Sequence, residues 1–194
     1  MTTGILIAAA GRSERFIRAG GQGNKLNAKF ADAAGRQRPL FEHTLRQALA
    51  SGLPVHVVTR PDNLQVQKIC AANQTPVTLL ASAGLGDSIA AGVAATPQWQ
   101  GWLIHLADMP FVTPDVFLQV AEALKNHPIV RPGFDQQPGH PVGFSALLRN
   151  ELCRLLGDNG ARELLQRGAV HLLPLDRATV VQDIDLPSQL PASE

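Results

Sequence analysis

The chain has 194 residues, 45% apolar and 17% charged, which suits one α/β domain spanning residues 1–194 with a full-sized core. A formal net charge of +1 supplies no global field for a nucleic-acid polyanion or an anionic membrane, so neither is expected as a partner. Cys70 and Cys153 fit no disulfide framework or zinc spacing, and Ile5 to Ala10 is too short to span a membrane and follows no basic residue. A reducing, cytoplasmic setting without a leader is the expectation.

Short runs rich in branched residues alternate with helical patterns, the pattern of a mostly parallel sheet covered by helices. Ile5–Ala8 is the first predicted strand. The stretch from Gly11 to Pro39, rich in glycine, arginine and lysine, has no sustained period and reads as one long loop. Leu40, Phe41, Thr44, Leu45, Ala48 and Leu49 mark a helix face that Gly52 closes. Strands follow at Val55–Val58, Val77–Leu80 and Trp102–Leu106. Thr113 is the expected cap of a helix that starts at Pro114, and Val116, Phe117, Val120, Ala121 and Leu124 face the sheet. Four later strands are expected at Ile129–Arg131, Val142–Phe144, Val170–Leu173 and Val180–Val181. A helix should run from Asn159 to Arg167 and stop at Gly168, and the tail after Pro187 should fray.

Four places carry chemistry. After the first strand come Ala9, Ala10, Gly11, Arg12, Ser13 and Arg15, with Lys25 following. The small residues admit a ligand, Gly11 permits dihedrals that bare consecutive N–H groups, and the cations sit at the carboxyl end of a parallel strand, together a cradle for a triphosphate. Neither a Walker loop nor a dinucleotide fingerprint is present. Gly84 to Gly92 is a glycine turn entering a helix. Either Gly86 and Ser88 approach a base or sugar, or Asp87 or Ser88 caps the helix.

Asp108 leaves the Trp102 strand where Thr113 already takes the capping duty, so its carboxylate is free for Mg²⁺. In Asp183-Ile184-Asp185 the period of two puts both carboxylates on one face with Ile184 inward; Asp185 either joins Asp108 at the metal or caps a terminal turn before Pro187. Gly139, His140 and Pro141 form a turn where His140 either donates to a second substrate or stands in solvent. The remaining histidines have no metal spacing, and there is no serine-hydrolase elbow.

In order, A-A-G-R-S-E-R-F from Ala9, N-K-L from Asn24, G-L-G-D-S from Gly84, L-A-D-M-P from Leu106, G-H-P-V from Gly139, G-D-N-G-A-R from Gly157 and D-I-D-L-P from Asp183 resemble the nucleotidyltransferase family of the molybdenum-cofactor cytidylyl- and guanylyltransferases. The resemblance implies a Rossmann-like three-layer nucleotidyltransferase fold. It also implies a first loop that holds the NTP, Lys25 as the loop lysine, Mg²⁺ on Asp108 and Asp185, and Arg15, Lys25 and Asp108 as the catalytic groups. Gly139, His140 and Pro141 would meet the acceptor. Ala9-Ala10-Gly11 is similar to the cytidylyl branch, which implies CTP, a molybdopterin-type acceptor, and a molybdoenzyme or its chaperone as recipient. A sugar- or alcohol-phosphate acceptor and a non-catalytic carrier are the alternatives. Three positions depart from the family pattern: Ile17 where a glycine is expected, a longer loop that leaves Lys25 and Lys29 both eligible, and Pro138 where an arginine often stands.

Overall fold

The computed structural model describes residues 2–82 and 84–192. In chain order the elements are β1 (Thr3–Ala9), α1 (Glu14–Arg18), β2 (Lys29–Ala31), β3 (Gln37–Pro39), α2 (Leu40–Ala50), β4 (Val55–Thr59), α3 (Leu64–Ala72) and β5 (Val77–Leu79). Then follow α4 (Leu85–Ala94), β6 (Gly101–Leu106), α5 (Pro114–Ala123), β7 (Ile129–Phe134), β8 (Gln137–Pro138), β9 (Val142–Ser145), α6 (Arg149–Cys153), α7 (Arg162–Arg167) and β10 (Val170–Pro174).

One sheet runs β10-β7-β9-β6-β1-β4-β5, with β8 on β7. The pairs β1/β4, β1/β6, β4/β5 and β7/β10 are parallel, and antiparallel β9 joins β6 to β7. Alternation along the strands divides the core in two. Ile5, Ile7, Val57 and Leu103 face α2, α3 and α5, whereas Leu6, Val58, Trp102 and Ile104 face α4, α6 and α7. Both faces are covered, so the central strands are mostly apolar, as buried parallel strands are, with His56, Thr59 and His105 as buried polar exceptions. The expected α/β class, three layers and mostly parallel sheet are all present.

The chain leaves β1 toward β4 and β5, then returns to the other side of β1 as β6. The strand order reverses between β1 and β6, and the carboxyl ends of strands at such a reversal form a crevice. Ala107 N donates to Ala8 O at 3.1 Å, so the loops after β1 and β6 leave the sheet side by side.

Several local expectations fail for identifiable reasons. The stretch 11–39 contains α1, a 3-10 turn at Lys25–Asn27 and the β2–β3 hairpin. These elements are too short to show a period, and tertiary contacts hold them: Leu26 and Phe30 are buried in the α2-side core. Val180–Val181 lies in a 3-10 turn (Ala178–Val181) and pairs with no strand; Val180 is buried, so its branched apolar pair marks core and not sheet. Residues 64–72 and 149–153 form two further helices, and the predicted helix at Asn159 begins only at Arg162. Thr113 stands at the N-cap of α5, but its hydroxyl donates to the Asp115 carboxylate at 2.5 Å and caps no backbone N–H. Gly52 does close α2, with φ 77°. The segment after Pro187 holds a 3-10 turn (Pro187–Gln189), and Leu190 packs on the core. Residues 193 and 194 of that tail lie outside the described residues.

Candidate functional site

The loop after β1 is ordered by its own side chains. Ser13 takes the left-handed conformation, φ 59°, at the start of α1. Its hydroxyl donates to Asn24 Oδ1 at 3.1 Å and accepts from Lys25 N at 2.9 Å. Asn24 in turn accepts from Leu26 N and donates to Gly11 O at 3.3 Å. This buckle ties the two ends of the loop together and sets the direction of Lys25. The left-handed conformation in this loop falls on Ser13, and Gly11 does not adopt it. A Cβ at Gly11 would meet nothing within 4 Å, so that stretch of backbone faces open space. Ile17 points to solvent from α1, 49% exposed, so its departure from the family's glycine does not touch the crevice.

Lys25 lies between two carboxylates: its Nζ is 2.8 Å from Asp108 Oδ2 and 2.7 Å from Asp185 Oδ1. Lys29, the other eligible lysine, is exposed on β2. Arg15 Nη1 reaches Asp185 Oδ2 at 2.8 Å, with its side chain 77% exposed. Asp185 comes to this place by backbone pairing, since Ile184 N donates to Asp108 O at 2.9 Å while the Ile184 side chain is buried. The capping alternative for Asp185 fails. Gln189 Oε1 accepts from the Asp185 and Leu186 amides, so the Asp185 carboxylate is free to turn toward Lys25.

Asp108, Asp183 and Asp185 each place an oxygen within 4.8 Å of the others. Burial pushes the Asp108 carboxyl up from its ordinary value against the pull of Lys25, and the neighbouring aspartates add to the rise. At the more open Asp185 burial acts in the same sense, but Lys25 and Arg15 outweigh it and hold the group below its ordinary value. Burial opposes the Lys25 charge, yet Asp108 and Asp185 carry its pKa above the usual lysine value. Asp108 Oδ1 is buried and has no hydrogen-bond partner among the described residues. A hard divalent cation suits this set: three carboxylates face two side-chain cations, and one buried oxygen lone pair is unmet.

Around this corner lie two joined hollows. One of about 700 Å³ is bordered by Arg12, Ser13, Arg15, Lys25, Leu85 and Asp185. The other, about 340 Å³, runs over Ala9, Ala10, Gly11, Ser88 and Asp108. Ala9 and Ala10 are buried, and Thr59 Oγ1 fixes the Ala9 carbonyl at 2.9 Å. Gly84, with no capping side chain, begins α4, so neither Asp87 nor Ser88 is its cap. Asp87 instead accepts from Ser82 Oγ at 2.6 Å and from Gly157 N at 3.2 Å. Gly86 N donates to Gly157 O at 2.8 Å, and a Cβ there would stand 2.8 Å from Leu156 O. The close approach that requires a glycine at position 86 is therefore made by the chain itself.

His140 is not a solvated loop residue. It lies at a third hollow, of about 360 Å³, between α4, α7 and strands β6, β7 and β9. Burial, with Arg131 nearby, lowers its pKa to about 3, so the ring is neutral at physiological pH. Gly139 is buried, and a Cβ there would run into the Val180 carbonyl, which also accepts from His140 N at 2.9 Å. Asn24 and Arg131 join the site without having been singled out, and Asp183, expected only on one face with Asp185, joins Asp108 and Asp185 as a third carboxylate. Asn24 and Asp183 stand inside quoted motifs, and Arg131 carries no local signal because only strand pairing brings β7 beside β9.

Residues 5–172 match the family model described as the MobA-like NTP transferase domain. Molybdenum cofactor cytidylyltransferase of Escherichia coli is 28% identical over 120 residues, which is 60% of this chain and 62% of that relative. The crystal structure of Rv0371c from Mycobacterium tuberculosis superposes with a TM-score of 0.82 at 25% identity, covering 97% of this chain and 95% of that one. Molybdopterin-guanine dinucleotide biosynthesis protein A from Archaeoglobus fulgidus gives 0.71 at 20% identity, over 97% and 94%. The four motif regions meet around one crevice on this shared fold, and the chain belongs to the MobA-like NTP transferase family.

Proposed function

We propose that this single-domain protein is a cytidylyltransferase that transfers CMP from CTP to the phosphate of a molybdopterin-type acceptor and releases pyrophosphate. The observation that carries the reading is the corner at the ends of β1 and β6. Lys25 and Arg15 meet Asp108 and Asp185 there, beside an open loop rich in backbone amides.

An acceptor phosphate oxygen attacks the α-phosphorus in line, forming a new P–O bond. The bond from the α-phosphorus to the oxygen bridging the β-phosphorus breaks, and pyrophosphate departs with that electron pair. A phosphate monoester is already ionised near neutral pH, so no general base is required. The residues align two anions and offset their charge. The loop amides from Ala10 to Ser13, with Arg12, receive the triphosphate, and Lys25 and Arg15 meet the phosphoryl oxygens. Asp108 and Asp185, with Asp183 beside them, would hold a divalent ion, Mg²⁺ in our reading. Such an ion supplies Lewis-acid polarisation of the phosphates. Rv0371c has been solved in complex with manganese (TM-score 0.79, 23% identity), which supports a divalent ion in this architecture.

The methyl groups of Ala9 and Ala10 line the inner hollow and favour the smaller pyrimidine over a purine. Gly139, His140 and Pro141 border the acceptor side, and Ser88 borders the nucleotide side. A molybdoenzyme or its chaperone would receive the product. Among the described residues no helix is long and apolar enough to cross a membrane. The test is pyrophosphate release with each NTP in Mg²⁺ or Mn²⁺, using molybdopterin and sugar- or alcohol-phosphate acceptors. Turnover with CTP and molybdopterin is expected. Equal turnover with GTP removes the cytidylyl assignment, turnover only with a sugar phosphate reassigns the acceptor, and release with none favours a carrier.

A further inference from the structure

Asp185 brings its carboxylate to the corner from a late stretch of chain that is pinned on either side. Ile184, 1% exposed, holds one side, its N–H donating to Asp108 O at 2.9 Å, and Leu190 packs on the core on the other. Between them the Asp185 carboxylate meets Lys25 Nζ at 2.7 Å and Arg15 Nη1 at 2.8 Å, although its side chain is more open than that of Asp108. An aspartate in such a turn competes for backbone amides close to its own, and a bond of that kind would take it away from Lys25. Two features prevent this. Pro187 has no N–H to offer. The amides of Asp185 and Leu186 both donate to one acceptor, Gln189 Oε1, at 2.7 and 2.8 Å. Gln189 is placed for this by its own backbone, whose N–H donates to Leu186 O at 3.0 Å and closes the 3-10 turn Pro187–Gln189. Gln189 lies on the surface, two residues past the D-I-D-L-P run, and its hydrogen bonds among the described residues go to backbone alone. Its bearing on the corner is therefore through Asp185.

We infer that Gln189 is a positioning residue: by occupying the Asp185 and Leu186 amides it keeps the Asp185 carboxylate on Lys25 and in the set that would hold a divalent ion. The role deepens the nucleotidyl-transfer reading above and rests on its account of the corner. A glutamine suits the task because a neutral carbonyl oxygen accepts two N–H donors and adds no further negative charge beside three aspartates. Without that acceptor the two amides turn to water or to the nearest carboxylate, which is that of Asp185 itself. The fold should tolerate the loss, since Ile184 and Leu190 are anchored independently of Gln189.

Titration of the whole protein with Mn²⁺, the free ion read by electron paramagnetic resonance, tests the role without turnover. Gln189→Met, similar in length but lacking an acceptor, should bind the ion about fivefold more weakly, the scale of one lost cap, with a melting temperature near that of wild type. Gln189→Glu keeps the acceptor and should bind at least as tightly as wild type. Asp185→Ala should weaken binding more than Gln189→Met does. Adding Gln189→Met to Asp185→Ala should change nothing further, because a residue that acts only through Asp185 then has nothing left to place. Unchanged affinity in Gln189→Met, an equal loss in Gln189→Glu, or a second full loss on the Asp185→Ala background overturns the positioning role and leaves the metal corner standing. A wild-type protein that takes up no Mn²⁺ overturns the metal corner of the proposed function, and the positioning role with it.

Discussion

The corner below β1 and β6 and the hollow beside β7 both collect charge, but they manage it in opposite ways. In the corner, Lys25 and Arg15 are paired with carboxylates that the chain supplies itself, at 2.7 to 2.8 Å. In the hollow, the one hydrogen-bond partner of the Arg131 side chain among the described residues is the Gly139 carbonyl. The corner is held in shape before a ligand arrives, as the catalysis we propose for it requires, because charges already aimed need no reorganisation during reaction. In the hollow no carboxylate offsets the burial of Arg131 among the described residues, so that cation carries a cost that the corner's cations do not.

Substitutions should separate the two regions, and the largest effect is expected at Asp108. Asp108→Asn keeps shape and removes charge, and turnover should fall by about 10²–10³, the usual cost of losing one well-placed electrostatic group. Stability should hold or rise slightly, because burial already disfavours the ionised form. Near-normal turnover across a range of Mg²⁺ concentrations would remove Asp108 from the metal set.

Charge removal should next divide the regions in urea denaturation. Lys25→Met leaves Asp108 and Asp185 facing each other and should cost about 2 kcal/mol, less than a fully buried broken pair because the aspartates are 16% and 27% exposed. Arg131→Met removes an unpaired cation and should cost nothing or stabilise. Equal losses in both variants would erase the distinction between the regions. A smaller, kinetic contrast is expected at His140: His140→Ala should raise the acceptor KM severalfold and leave CTP binding near wild type. The opposite split would show that the two subsites are exchanged.

A contrast outside both regions is read in acid. His105, wholly buried under Phe117 with Nε2 on the Met109 carbonyl at 3.1 Å, has its pKa lowered by burial to about 4. The unfolded chain binds that proton near pH 6.5, so the neutral ring's stability is complete above 6.5. It is lost as pH falls toward 4, at up to about 1.4 kcal/mol per pH unit. His105→Gln should flatten the acid limb of stability between pH 6.5 and 4. An unchanged limb would show that His105 does not set it.

Most of the architecture was legible because it depends on patterns that the chain carries locally. The runs at Ile5, Val55 and Trp102 declare buried parallel strands, and Leu40 to Leu49 declare an amphipathic face. Lys25, Asp108 and Asp185 stand in quoted motifs, Asp108 just past the end of β6, so the corner's candidates were on the page before its geometry was, and the structure brings those three within ion-pair distance. The elements between Gly11 and Pro39 were not legible. Five-residue α1 and the three-residue strands of the hairpin are too short for periodicity, and packing of Leu26 and Phe30 decides them. Val180 was misread because a branched residue records burial more faithfully than sheet.

What the amino-acid sequence determined by itself was the alternation of strands and helices, the two-sided burial of the central strands, and the residues offered at the end of each strand. Those follow from side-chain periodicity and from the small residues and charges placed at the turns. Only the tertiary structure decided which of two lysines enters the corner, that Asp185 turns inward because Gln189 takes its amide, and that glycine at position 86 serves the contact with Gly157. It also decided that Arg131 stands uncompensated beside His140. Each of these depends on what lies across a gap of many residues in the chain, and desolvation and pairing energies are set by such neighbours and not by the residue itself.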